Sequence, residues 1–490
     1  MDADALTAAA LAALGILLLV SSLLSRVGAR FGVPVGLVFL VIGMLAGSDG
    51  PGGIWFDDYE IAYAFGTAAL VLILFAGGLN TELTHLRRAL APAGVLATVG
   101  VIGVAALAAV GGHWVGLPWG EALMVGAIVS STDASAVFAV LQGVPLRRRI
   151  GLTLELESGL NDPVAVILTV GTSLAFCGKS TLGIQLLAEM VTQLAVGAAI
   201  GSIMGIAGRW LLTHVRLSTP ALLPTVTIGV AFIAYGVAAQ CDGSGFLAVY
   251  LTGLILGQAQ LPYQQNLQRF HDALGWVAQV GMFLILGLLV FPSQLTKVAL
   301  PGLAIALWLA FVARPVVVTL CLLPFGFQWR EILCIAWLGL RGAVPIILAT
   351  VPVLMLDDPA LTTHDIVEQF NLVFFVVVVG SILPGMTVRR LPRWLGLEEP
   401  VVPEPTAWLD ITSELPLQDA PLTLFIGPDS PAIGRRLSEI ALPADASIML
   451  IVRGSRLIAP RGATQIESGD HAFVLCAADQ AAGVRAAFGN

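Results

Sequence analysis

The stretch "LELESGLNDPVAVILT", residues 154–169, sets Glu155, Glu157 and Asp162 in an apolar neighbourhood. An ionised side chain at the centre of a membrane-spanning helix costs about 2.5–3.5 kcal/mol. Whether that cost applies depends on the rest of the chain. Its 490 residues are 57% hydrophobic and only 11% charged, with a mean hydropathy of +0.91. Soluble domains carry about 25% charged residues. Apolar runs long enough to cross a roughly 30 Å hydrocarbon core recur along the sequence. The chain therefore reads as an all-α polytopic membrane protein, and the three carboxylates lie inside it.

The alternation of apolar runs and charged loops predicts thirteen crossings, near 5–25, 32–48, 60–80, 91–113, 119–143, 150–177, 182–212, 220–240, 244–260, 272–292, 298–324, 330–356 and 365–388. Asp2 and Asp4 replace the basic start of a cleaved signal peptide, so the first run is expected to stay as a crossing. With the N-terminus outside, the inner loops collect fourteen arginines, among them Arg147, Arg148 and Arg149, while the outer loops hold only Lys179 and Lys297. Positive charge stays on the cytoplasmic side, which predicts a periplasmic N-terminus and a cytoplasmic tail.

The transmembrane domain is expected to span 1–392. A Pro- and Glu-rich linker follows over 393–405, and a soluble domain occupies 406–490. In that tail "PLTLFIG", "ASIMLIVRG" and "SRLIAPRGATQIESGDHAFVLCA" read as strands, while "PAIGRRLSEIAL" and "DQAAGVRAAFG" read as helices, giving a small α/β domain. Residues 396–490, linker acids included, carry −6 of the net charge of −8, and nothing in the chain suggests nucleic-acid binding. The five cysteines lack metal-ligand spacing and read as free thiols. No cofactor is expected.

Helical spacing sorts the opening stretch. Ser158 and Asp162 share one face, and Glu157 and Asn161 share the next. Pro163 donates no N–H and crowds the carbonyl of Gly159. A hydroxyl, a carboxylate and a freed carbonyl form an oxygen cluster suited to a monovalent cation. In the fifth crossing, "GAIVSSTDASAVFAVL" puts Ser130, Ser131, Thr132, Asp133 and Ser135 mid-membrane. Such residues mark either a helix break lining a cavity or a continuous helix whose hydroxyls bond backwards. The twelfth crossing offers another candidate break, with Gly339, Gly342 and Pro345 around Arg341. Crossings five and twelve correspond if two inverted six-helix repeats flank a central helix. Paired interrupted helices of this kind point to a transporter site, and Asp133 and Arg341 bear the charges that opposed half-helix ends require.

The segments "SSTDASAVF", "LELESGLNDPVAVILT", "GLRGAVPIILA" and "VPVGLVFLVIGMLAGSDG" resemble the cation:proton antiporter superfamily, in its NhaP-type branch of sodium/proton and potassium/proton exchangers. The tail is similar to the C-terminal half of TrkA/RCK regulatory domains. The resemblance implies inverted six-helix repeats with interrupted crossing helices, a homodimer, and exchange of potassium, or alternatively sodium, for protons across the bacterial inner membrane by alternating access. It makes Asp162 the exchange carboxylate, Ser158 and the Thr132 carbonyl cation ligands, and Asp133 the residue ordering the crossing. Asn161 stands where the electrogenic branch has a second aspartate, so exchange is expected to be electroneutral. Glu157 and Arg341 resemble a structural ion pair. The tail is a candidate sensor of a nucleotide or ion. Two departures stand out, Ala134 after Thr-Asp and Ala76 in "LILFAGGLNTEL".

The competing readings are a tail-gated cation channel, an intramembrane aspartyl protease using Asp133 and Asp162, and a transport-dead sensor. The chain has no TVGYG-like filter loop and no accompanying protease motif, and a non-enzymatic function is expected.

Overall fold

A computed structural model describes residues 34–81, 86–133, 146–178, 183–215, 221–259, 263–355, 365–388, 390–398, 420–443, 446–477 and 480–489, together with parts of 4–24 and positions 219 and 261. Most of the first expected crossing, and the fifth beyond Asp133 including Ala134, lie outside the described residues. The chain divides into two compact units, one comprising Met1–Ala259 and Gln265–Glu399, the other containing Pro400–Asn490.

The described helices of the larger unit follow the hydropathy closely. They are α1 (Val35–Ala46), α2 (Tyr59–Asn80), α3 (Leu86–Val95) running through a π turn at Leu96–Gly100 into α4 (Val101–Trp114), α5 (Trp119–Ile128), α6 (Arg148–Phe176), α7 (Ile184–His214), α8 (Leu222–Gln240), α9 (Gly245–Gly257) and α10 (Gln264–Leu288). Then come α11 (Pro292–Trp308), a second π turn at Leu309–Ala313, α12 (Arg314–Leu322), α13 (Trp329–Leu338), α14 (Val344–Leu348), α15 (Thr350–Met355), α16 (Asp365–Thr387) and α17 (Leu391–Leu395). Among the described residues, eight helical spans are long and apolar enough to cross a membrane. Shorter apolar helices at Val35–Ala46, Trp119–Ile128, Gly245–Gly257 and Val344–Met355 stand where further crossings are expected.

Caps fix several helix starts. Asp58 accepts from the Ile61 N–H at 2.9 Å, and the Glu331 side chain accepts from the Gln328 N–H at 3.0 Å, each satisfying a backbone donor at a helix start. The largest boundary difference is at α10. α10 begins at Gln264 rather than near 272, because its first two turns carry Gln264, Gln265, Gln268 and Arg269, which hydropathy excludes and helical geometry does not.

The order of a π-turned helix followed by a broken one occurs twice: α3–α4 then α5, and α11–α12 then α13–α14. That recurrence is what an internal repeat requires. The two π turns also pack against each other's helices, Leu96–Gly100 on α12 and Leu309–Ala313 on α4.

α6 lies at the centre and α7 at the margin. In their most apolar windows 67% of α6 residues are buried, against 22% for α7. Ile184, Val191, Ile203, Ile206 and Trp210 of α7 are exposed, as suits a face toward lipid or another apolar surface. Pro163 does not interrupt α6, which remains helical from Arg148 to Phe176. At the start of α6, Arg147 and Arg149 both reach Glu331, at 3.4 and 3.9 Å, and Arg149 lies over the Phe327 ring.

The smaller unit is a four-stranded antiparallel sheet in the order β1–β4–β2–β3, formed by Ala420–Phe425, Ser447–Arg453, Arg456–Ile458 and Asp470–Cys476 as β1 to β4. It is closed by the C-terminal helix α18 (Ala481–Phe488). Its core gathers Leu424, Ile451, Ile466, Val474, Val484 and Phe488. The expected helix over "PAIGRRLSEIAL" does not form, apart from a single 3₁₀ turn at Leu437–Glu439. Gly434 there has φ +78°, a left-handed conformation that ends a right-handed helix. The backbone turns instead to bond Thr464 and Ile466 across the fold. Arg453 grips buried Asp470 with two hydrogen bonds, at 2.7 and 2.9 Å, and these bonds hold its guanidinium above its ordinary pKa.

Candidate functional site

Both candidate breaks are real. α5 ends at Ile128, and Ser131 to Asp133 continue without helical structure. α13 ends at Leu338, and Gly339 to Ala343 lead to α14. The two non-helical segments cross and are joined main chain to main chain, since the Asp133 N–H donates to the Leu340 carbonyl at 2.9 Å. Glycine makes the approach possible. A Cβ on Gly342 would overlap the Asp133 carboxylate, and one on Gly339 would overlap the Arg314 guanidinium.

A broken helix leaves carbonyls without partners at its C-terminal end, and within a membrane no bulk water replaces them. Arg341 supplies the donors. One of its Nη atoms donates to the carbonyls of Ser130 and Ser131, at 2.9 and 2.6 Å. A positive charge at that end also complements the dipole of α5.

Arg341 is therefore not the partner of Glu157, contrary to expectation. Glu157 takes two parallel bonds from Arg314, at 3.0 and 3.2 Å, and both residues are buried. Arg314 also donates through Nε to the Ala336 carbonyl near the end of α13, at 3.0 Å. Each buried arginine thus serves one broken helix, and only Arg314 adds a carboxylate. The bidentate geometry and the extra carbonyl bond are what allow a buried pair to offset its desolvation. Both arginines are legible in the sequence as intramembrane charges. The π turn at Leu309–Ala313 immediately precedes Arg314, and its trace in the sequence is Pro315, which cannot donate to the Phe311 carbonyl.

Against this frame stands the polar patch. Asp162 accepts from the Ser131 hydroxyl at 2.6 Å. The Asn161 amide donates to the Thr132 hydroxyl at 2.5 Å, and that hydroxyl lies 3.3 Å from the Ser158 hydroxyl. Ser131, Thr132, Ser158, Asn161 and Asp162 are all buried. The structure therefore brings together Thr132, Ser158, Asn161 and Asp162 from the sequence-based set and adds Ser131. Asp133 sits at the crossing, against Gly342. Among the described residues, the side-chain oxygen of Asn161 has no hydrogen-bond partner. Leaving such a buried acceptor unmet costs about 1–3 kcal/mol, and a cation or water in the patch would satisfy it.

Glu155, the first acid of the opening stretch, accepts from the Thr81 hydroxyl at 3.3 Å. Thr81 lies 3.4 Å from the Tyr250 hydroxyl. Ala76 is buried in the wall of α2, and Gly275 of α10 faces it.

Crossed, interrupted helices around a buried carboxylate define a secondary transporter. Residues 15–394 match the family model described as sodium/hydrogen exchanger, transmembrane, and residues 423–489 match the TrkA-C domain. The chain belongs to the sodium/hydrogen exchanger family. It is 40% identical over 470 residues to the K(+)/H(+) antiporter NhaP of Alkalimonas amylolytica, covering 94% of this chain and 80% of that one. It is 39% identical over 486 residues to the K(+)/H(+) antiporter NhaP2 of Shewanella oneidensis, covering 98% of this chain and 82% of that one. Its fold is also that of the sodium proton antiporter MjNhaP1 of Methanocaldococcus jannaschii, with a TM-score of 0.67 at 24% identity over 79% of this chain and 100% of that one.

Proposed function

We propose that the protein exchanges potassium for protons across the bacterial inner membrane by alternating access, with Asp162 as the group that carries either ion. The observation that carries this is the contrast on α6: Glu157 is held by a guanidinium, whereas Asp162 receives a single hydroxyl bond. The second carboxylate is free to trade its proton for a cation.

In this reading the cation is the cargo. Asp162, Ser158 and the Thr132 carbonyl supply its oxygen ligands, and the Asn161 carbonyl oxygen is within the same patch. Asp133 and Arg341 hold the crossing that presents them. One carboxylate binds one proton or one monovalent cation, and Asn161 adds no second charge, so exchange is one for one and electroneutral. The potassium preference rests on the two relatives at about 40% identity, both named as K(+)/H(+) antiporters. A channel has no need of a buried carboxylate that must change charge at each turnover. The transmembrane domain spans residues 1–392, with a linker to 405. The tail, 406–490, is cytoplasmic and regulates exchange through a bound nucleotide or ion, and the protein works as a homodimer.

Reconstituted protein should exchange potassium for protons faster than sodium, at a rate indifferent to an imposed membrane potential. Cation flux without coupled proton movement would replace the antiporter reading with the channel. Removing residues 403–490 should alter the response to cytoplasmic conditions while leaving coupling intact.

A further inference from the structure

Beyond Asp162, α6 runs on toward Phe176 with an arrangement of hydroxyls that the exchange site does not use. Thr169 and Ser173 lie seven and eleven residues further along, hence within about 20° of Asp162 around the helix and about 10 and 16 Å along its axis. Both residues are completely buried, and among the described residues neither hydroxyl has a hydrogen-bond partner. Their neighbour Thr172, turned to the side, makes the ordinary choice of a helical hydroxyl and donates back to the Leu168 and Thr169 carbonyls. Thr153 on the same helix does likewise, bonding to the Arg149 carbonyl at 2.8 Å. Hydroxyls without partners on α6 thus fall on the line that passes through Asp162.

Packing alone would be served as well by alanine or valine, without an unmet polar atom in a dry interior. A hydroxyl placed there becomes favourable once water or a partly dehydrated cation reaches it. We propose that Thr169 and Ser173 are successive stations of the path by which a monovalent cation reaches Asp162 from the membrane side toward which α6 ends. The path is shut here and wet when the carrier faces that side. It builds on the reading of Asp162 as the exchange carboxylate and places that side outside the cell.

The test uses full-length protein in which the five native cysteines are replaced and exchange is retained. Thr169→Cys, Ser173→Cys and Ile167→Cys are made singly, the last being equally enclosed but facing away from the line. Silver ion, a thiol-seeking monovalent cation, is applied from the outer side. Thr169→Cys and Ser173→Cys should lose exchange about tenfold faster than Ile167→Cys, since polar positions lining an ion path are the ones that ions reach. Outer potassium should slow that loss. Equal rates for the three variants would overturn the proposal. Separately, Thr169→Val and Ser173→Ala should raise the outer KM for potassium about fivefold, as for one lost hydrogen bond, with the inner KM unchanged and Thr169→Ser restoring it. An outer KM equal to that of the parent would reduce the row to packing. Adding Asp162→Asn to the cysteine variants should abolish exchange yet leave silver labelling, read as loss of free thiol, intact. Failure of the path and failure of the Asp162 reading are thereby distinguishable.

Discussion

Glu157 and Asp162 sit five residues apart on one helix, equally hidden from solvent, with different partners. Glu157 meets a guanidinium through two parallel bonds; Asp162 meets one hydroxyl. Burial cost is common to both, so burial alone assigns neither role. The partner sets are what differ. A carboxylate gripped by arginine ties helices together, whereas in the proposed exchange the one met by a hydroxyl takes up a proton or a cation and releases it again. The same chain spends its second buried arginine on backbone carbonyls rather than on Asp162.

This contrast can be broken at either acid. Asp162→Asn should abolish exchange and leave thermal unfolding nearly unchanged; measurable coupled flux in that variant would transfer the role elsewhere. Glu157→Ala or Arg314→Ala should do the reverse, lowering stability by about 3–5 kcal/mol because an unpaired charge stays buried. Thermal unfolding in detergent reads that loss, and the pair Glu157→Leu with Arg314→Met should recover much of it. Asn161→Asp sharpens the comparison by giving the patch a second acid. Its exchange should acquire a dependence on membrane potential, up to about 2.3 kcal/mol per charge per 100 mV, visible as a rate that follows an imposed potassium diffusion potential. The smallest effect is expected for Thr132→Val, which removes the acceptor of the Asn161 amide and should cost about 1 kcal/mol, read as a few-fold rise in KM.

Much of this was legible in the residues themselves. Apolar runs placed most crossings, and Gly339, Gly342 and Pro345 marked one break while the cluster from Ser130 to Asp133 marked the other. Pairings were less legible. Two arginines, Arg314 and Arg341, lie in the membrane, and a linear pattern does not say which one faces Glu157. A π turn stands just before Arg314, where Pro315 leaves the Phe311 carbonyl without its helical donor, and a linear pattern does not show how such an irregularity turns the residues beyond it. The tail shows the opposite failure. "PAIGRRLSEIAL" has helical periodicity, yet Gly434 and the pairing of Arg436 with Gln465 draw the chain into turns, because tertiary hydrogen bonds outweigh weak local preference. Similarly, the polar first turns of α10 hid its start from hydropathy.

The bond between the Asp133 N–H and the Leu340 carbonyl has a consequence for how the protein tolerates change. It is made of main chain, so ordinary side-chain replacements at either position leave its donor and acceptor in place. Only proline at 133 deletes the donor, and it deletes the Asp133 carboxylate with it. The link is thus insulated from replacement at its own two positions, but not at Gly342, where a Cβ would overlap the Asp133 carboxylate. Sequence drift can retune the side chains around Asp162 and the neighbouring wall at Ala76, while the main-chain joint beside them stays the same.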